Sequence, residues 1–417
     1  MVEQSHLATF CDLTQSFAST GGGGVGTYLA AKRQYVIEHT GHRLVQIVPG
    51  QRDRVTQNGR HVWVEIEAPR VKGSANYRFI VNTRKVREVL RRYAPDLIEC
   101  QCPWILPWTA INYRKVHPGV TLVAGYHTDF PNVHLRRVGS QLISPAFGDS
   151  LARLGQTYAH RTYREFDRVY ALDEHTRSML ADCAIDHVDV LNLGVDTHLF
   201  RPELRDSEGF RREIGVTRNG PLLAYAGRLD HEKRASELIE MFRHLPESMQ
   251  ASMVLFGDGK LRPALERETQ GLDIFLPGYV ADRSRLARAL ASSDIYVSAM
   301  ADETFGLSVL EAQSCGLPVV GVASGAMPRR VPEGLGRLGP VGDPAAMAHN
   351  VAQLWPHSAA EMGKRAREHV LDQFHWNRTF EHLFGPIYAK AYSRSADRSS
   401  NLSKNSVDLH LAREMIG

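Results

Sequence analysis

The feature that most constrains this chain is an alternation. Short apolar runs recur through most of its length, each followed by a longer stretch with helical spacing. Such runs read as buried strands of a parallel sheet, because parallel neighbours need a helical crossover to bring the chain back. In the first half, strands are predicted at His6–Leu13, Arg43–Val48, Leu97–Cys100, Thr121–Tyr126 and Arg168–Ala171. A glycine-rich turn at Gly21–Gly26 precedes a helix over Val25–Thr40. A second series follows Pro202, with strands at Leu222–Ala226, Ser252–Phe256, Ile274–Leu276, Asp294–Val297 and Val319–Val322 and helices at Ala235–His244 and Leu307–Ser314. The expectation is an α/β protein of two doubly wound Rossmann-like domains facing a central cleft at the carboxyl ends of the strands, where ligands bind in such sheets. Its parts are predicted at residues 1–195 and 196–376, with a hinge in LGVDTHLFRP, a helix over 377–392 packing back on the first domain and a flexible, Ser-rich tail over 393–417.

Composition narrows the class. A chain of 417 residues, 43% of them hydrophobic, can bury two separate cores. No apolar run approaches the roughly 20 residues of a membrane span. The N-terminus lacks the basic-then-apolar order of a signal peptide, and the expected location is cytoplasmic. The five cysteines, Cys11, Cys100, Cys102, Cys183 and Cys315, lie in apolar segments, as reduced buried thiols do. No metal site is expected at the Cys100-x-Cys102 pair, which lacks companions at zinc spacing. A net charge of +4 does not indicate nucleic acid, and none is expected as a partner.

Three stretches at strand ends carry chemistry. In DETFGLSVLEAQSCG, Glu303 lies in a loop and Glu311 inside the helix that Phe305-Gly306 opens. The helix start at Gly306–Ser308 offers free N–H groups and a positive dipole end to a diphosphate, and the carboxylates can accept bonds from sugar hydroxyls. The same stretch also reads as a helix with two solvated glutamates. In GRLDHEKR, Arg228 and Lys233 can reach one diphosphate and stabilise it as a leaving group without a metal, or can simply be solvated. FGDGK is expected to shape the cleft and to contact nothing critical, and Gly278-Tyr279-Val280 can accept a planar base through backbone hydrogen bonds.

GRLDHEKR, FGDGK, GYV and ETFGLSVLEAQSCGLPVV occur in the order and spacing of the retaining glycosyltransferases of family 4, and the chain resembles that family, with its GT-B fold, from about residue 6 to residue 390. The resemblance implies that Arg228 and Lys233 bind the donor diphosphate. It implies that Glu311 binds the ribose, and that Glu303 contacts the donor sugar near the backbone of Phe305, Gly306 and Leu307. GGGGVGTY resembles the family's first glycine loop, which implies that Gly23 and Gly24 lie near the donor phosphates and the acceptor. His127, in GYHTDFP, matches the family's active-site histidine; His127 and Glu303 are the expected catalytic residues. SGAMPRRV departs from the pattern, with Ala326 in place of a glycine and Arg329 in place of a glutamate. The implied reaction is transfer of a hexosyl group, mannosyl or glucosyl, from a nucleotide-diphosphate sugar to a lipid or glycan acceptor. Configuration is retained, and neither metal nor other cofactor takes part. The rivals are an epimerase or phosphorylase on the same fold, or a sugar-nucleotide sensor without activity.

Positive charge concentrates in TRKVREVLRRY, Thr83–Tyr93, where Val86, Val89, Leu90 and Tyr93 form one stripe. Arg114, Lys115, Arg136 and Arg137 add to the same domain. Either the stripe faces its own sheet, or the helix lies against anionic headgroups as a peripheral membrane contact.

Overall fold

The computed structural model describes residues 7–18, 23–71, 77–127 and 129–398. They fall into two compact units, one reaching to Asn192 and resuming at Thr379, the other running from Leu193 to Arg378.

The first unit holds an eight-stranded sheet: β1 Thr9–Leu13, β2 Arg43–Gly50, β3 Arg54–Asn58, β4 His61–Glu67, β5 Leu97–Cys100, β6 Thr121–Tyr126, β7 Arg168–Ala171 and β8 Val188–Val190, in the order β8-β7-β6-β5-β1-β2-β4-β3. All pairs are parallel except β3 with β4. Sequence reading missed β3, β4 and β8. The β3–β4 pair is a hairpin at the edge, and every residue of β3 is exposed, so β3 has no apolar run to betray it. Helix α1, Gly23–His39, starts earlier than expected: Gly23 and Gly24 are its first residues, and Gly21 and Gly22 lie outside the described residues. Its buried face is Tyr28, Leu29, Lys32 and Val36, a helical spacing that sets a lysine against the sheet.

Helix α2 spans Thr83–Tyr93 as expected, capped by Asn82. Val86 and Leu90 are buried, and Val89 and Tyr93 pack against the core. The stripe therefore faces its own sheet and is not available to lipid. Part of the outward charge is also neutralised at short range, with Arg84 on Glu88 and Lys85 on Asp53. Arg114, counted with the surface charge, is buried and paired with Asp167 at 3.4 Å.

The chain returns to this unit through a helix at Trp376–His382, a π-helical turn at Leu383–Ile387 and helical residues 388–398. Pro386 sits in the π turn, where a missing N–H and the ring's bulk break the α-helical ladder. Phe380, Phe384 and Tyr388 pack on Tyr35, Phe10 and Tyr28. The flexible tail expected from residue 393 is corrected over its first part. Residues 393–398 are helical, Ser395 is buried, and Arg398 pairs with Asp167. The polar composition there marks a solvated helical face with buried anchors, and the rest of the tail lies outside the described residues.

The second unit holds β9 Leu222–Ala226, β10 Ser252–Phe256, β11 Ile274–Gly278, β12 Ile295–Ser298, β13 Val319–Val322 and β14 Gly336–Gly339, all parallel, in the order β11-β10-β9-β12-β13-β14. The chain runs outward from β9 to β11, then crosses back to the other side of β9. Between β9 and β12 the winding direction reverses, and loops leaving those two strands diverge there.

Candidate active site

The loops after β9 and β12 bring together residues far apart in sequence. Lys233 ends a short 3-10 turn, His231–Lys233, after β9. Its Nζ lies 3.1 Å from Glu303 Oε2 and 2.7 Å from Met300 Sδ. Glu303 is mostly buried, and its other oxygen accepts the Gly306 N–H at 3.1 Å. Gly306 precedes helix α3, Leu307–Ser314, and has a φ of 86°, a left-handed value that favours glycine. Phe305 is buried under the Arg330 guanidinium, 3.9 Å from its ring centroid, so its backbone but not its ring faces the loop. The Ala326 N–H donates to the Glu303 carbonyl at 2.7 Å, so the segment that departs from the family pattern braces this loop.

Arg228 leaves the end of β9 half exposed and bridges Asp230 at 2.8 Å and Glu232 at 3.2 Å. Carboxylates thus hold this guanidinium, as Glu303 holds Lys233. FGDGK braces the same loop: Asp258 O accepts the Leu229 N–H, and the Lys260 N–H donates to Asp230. Tyr279 and Val280 follow the edge strand β11, with β10 between them and the Arg228 loop, and the Tyr279 side chain is half exposed.

Glu311 does not join Lys233. It is buried in α3, where Oε1 accepts from Arg283 Nη2 at 2.6 Å. Burial raises its carboxyl above the ordinary range, and Arg283 opposes the rise. Sequence reasoning missed Arg283; it opens the helix Arg283–Ala291 and stacks on Phe200, 4.8 Å from the ring centroid.

In the first unit His127 follows β6. Its Nε2 lies 2.5 Å from Gln101 Oε1 and 3.3 Å from Tyr170 Oη. Burial lowers its pKa to about 4, so the ring is neutral across the physiological range. Behind it lies a network that sequence reading missed. Strand register sets Gln46, Asp12 and Glu99 side by side on β2, β1 and β5. Lys32 Nζ meets Asp12 at 2.5 Å, Glu99 at 3.0 Å and Tyr388 Oη at 3.0 Å. Tyr28 and Tyr170 donate to Glu99 at 2.8 and 2.9 Å. Burial alone would raise Glu99; Lys32 and the Tyr388 and Tyr28 hydroxyls overcome it and hold the carboxyl below the ordinary carboxylate range. The signal was present in TFCDL and LIEC, each a buried strand with one carboxylate inside.

A cation, a carboxylate and a helix start gather where a doubly wound sheet reverses, the place where such sheets bind ligands, and the chain carries two Rossmann-like units, the fold class of GT-B glycosyltransferases. Comparison with known proteins agrees. The family described as Glycosyltransferase Family 4 matches residues 22–199, and Glycosyl transferases group 1 matches residues 220–357. A GDP-mannose-dependent alpha-(1-6)-phosphatidylinositol dimannoside mannosyltransferase of Mycobacterium tuberculosis is 28% identical over 85% of this chain and 90% of its own length. The sulfoquinovosyl transferase SQD2 of Arabidopsis thaliana is 28% identical over 72% of this chain and 58% of its own. Among solved structures, a sucrose-phosphate synthase of Thermosynechococcus elongatus shares the fold, with a TM-score of 0.73 at 18% identity over 93% of this chain and 100% of that one. The chain belongs to glycosyltransferase family 4. It is a retaining hexosyltransferase that uses a nucleotide-diphosphate sugar.

Proposed function

We propose that the protein transfers a mannosyl group from GDP-mannose to a glycolipid acceptor at the cytoplasmic face of a membrane. The observation that carries the site assignment is the Lys233–Glu303 contact at the switch point of the second sheet. The donor assignment draws on relatives described as GDP-mannose-dependent mannosyltransferases, one of them matched along most of both chains. In this reading Arg228, Lys233 and the first turn of α3 take the charge that develops on the leaving diphosphate, the largest electrostatic demand of the reaction. Glu311 serves the ribose, Tyr279 and Val280 the base, and Glu303 the transferred sugar. The leaving diphosphate takes the acceptor's proton on the face it departs from, which preserves the anomeric configuration. His127 and the start of α1 at Gly23 and Gly24 are the candidates of the first unit, and the neutral imidazole is suited to exchange hydrogen bonds with a sugar hydroxyl.

A thermal-shift series with GDP, UDP and ADP tests the donor. At a hundredfold excess over its dissociation constant, GDP is expected to stabilise the protein by about 2.7 kcal/mol, with smaller effects from the others. Preferential stabilisation by UDP, with transfer from a UDP-sugar, removes the mannosyl assignment.

Side-chain and backbone donors supply the positive charge in this mechanism. Transfer is therefore expected to survive exhaustive chelation, and strict dependence on added Mg²⁺ or Mn²⁺ contradicts it.

With the α2 stripe buried, membrane contact falls to the helices Arg137–Leu142 and Pro145–Tyr163. Val138, Leu142, Ile143, Phe147 and Leu154 are exposed there, Leu142 and Ile143 to 75% and 68%. Exposed Arg136, Arg137 and Arg153 accompany them, a composition that matches an anionic lipid surface. Sedimentation is expected with vesicles containing phosphatidylglycerol, weakened by salt and by Leu142→Ser with Ile143→Ser. Equal sedimentation of variant and parent sinks this placement.

A further inference from the structure

His127 Nε2 is surrounded by acceptors. Glu99 already accepts from Tyr28 and Tyr170, and the Gln101 amide donates its Nε2–H to Glu99 as well. That bond fixes the amide's orientation, because turning it would set its oxygen against a carboxylate. Gln101 Oε1 must then face His127, and an amide oxygen only accepts. Tyr170 has one proton, and its shortest contact to an acceptor is 2.9 Å, to Glu99 Oε1. Toward His127 Nε2, at 3.3 Å, its oxygen is left to accept. The backbone leaves room for this arrangement. Gly125 pairs with Tyr170 across β6 and β7, and a Cβ on it would lie 2.5 Å from both His127 Nε2 and Tyr170 Oη.

The geometry points to Glu99 setting the tautomer of His127 through the Gln101 amide: Nε2 carries the proton, and Nδ1 is held as an acceptor for a substrate hydroxyl. Gln101, Tyr170 and Glu99 are positioning residues, and Lys32 keeps Glu99 ionised by meeting its carboxylate within the buried cluster. Tyr388 adds the C-terminal helix to the same cluster, since its hydroxyl contacts both Lys32 and Glu99. The use of Nδ1 by substrate rests on the reading of His127 as a transfer-site residue, whereas the tautomer does not.

The test is nitrogen NMR of the intact protein labelled with ¹⁵N-histidine, with the His127 signals among 19 histidines assigned by difference from His127→Asn. The expected spectrum has a protonated, pyrrole-type Nε2 and an unprotonated, pyridine-type Nδ1 near neutral pH. Gln101→Leu and Gly125→Ala are each expected to give a mixture of tautomers. They should also lower kcat by about tenfold, the worth of one misplaced hydrogen bond, with GDP affinity by calorimetry unchanged. A proton on Nδ1, or an imidazolium, in the parent protein overturns the proposal, and that spectrum decides even if a variant fails to fold. Tautomer mixing in the variants without any change in kcat keeps the relay but removes His127 from the reaction.

Discussion

Lys233→Ala is expected to lower kcat by about one to two orders of magnitude, and Arg228→Ala by about one. A charge-assisted bond to a buried phosphate contributes roughly 1.5–3 kcal/mol, and each 1.36 kcal/mol of transition-state stabilisation is tenfold in rate. The two cations differ in what they leave behind. Arg228 is half exposed between Asp230 and Glu232, so its removal opens a solvated gap. Lys233 holds Glu303, which is mostly buried, and its loss strips that carboxylate of a neighbour that also orients it. Coupling between the two is readable in a double-mutant cycle. If Lys233→Ala and Glu303→Gln act through one contact, the double variant should lose less than the sum of the singles. Normal kinetics in both alanine variants, with intact folding, would refute the diphosphate clamp.

What the sequence disclosed follows from how each element is stabilised. The expected strands Leu97–Cys100, Thr121–Tyr126, Leu222–Ala226 and Ser252–Phe256 coincide with β5, β6, β9 and β10, because buried parallel strands are continuous apolar runs between turn residues. The β3 strand was illegible because it is solvated and pairs only at an edge. The start of α1 was misplaced because a run of glycines looks like a loop wherever it falls. Motifs in strand-to-helix loops were legible, since Arg228, Lys233 and Glu303 sit at strand ends whose positions were already readable. Which of them meet was not: Lys233 finds Glu303 only because β9 and β12 are neighbours, an order set by sheet topology. The cluster of Asp12, Lys32 and Glu99 escaped for the same reason: TFCDL and LIEC each show a carboxylate in a buried strand, but register across β1 and β5 and one helix face bring them together.

The two carboxylates of the second unit should separate donor from nucleotide. Glu311 is buried against Arg283, and Glu303 against Lys233. If Glu311 serves the ribose, which the product nucleotide also carries, Glu311→Gln weakens free GDP and intact donor alike, because a neutral amide is a poorer acceptor and Arg283 loses its charged partner. Loss of one charge-assisted bond corresponds to about tenfold or more in affinity. If Glu303 contacts the transferred sugar, which the nucleotide lacks, Glu303→Gln leaves GDP affinity nearly unchanged and lowers kcat, since its contact strengthens as charge develops on the sugar. The structure adds a control. Arg283→Ala removes the partner of Glu311 without touching the Lys233–Glu303 pair, and should follow Glu311→Gln in nucleotide binding. Calorimetry of GDP with all three variants, beside their steady-state kinetics, reads both signatures. Loss of GDP binding in Glu303→Gln with retention in Glu311→Gln would reverse the placement of donor along α3.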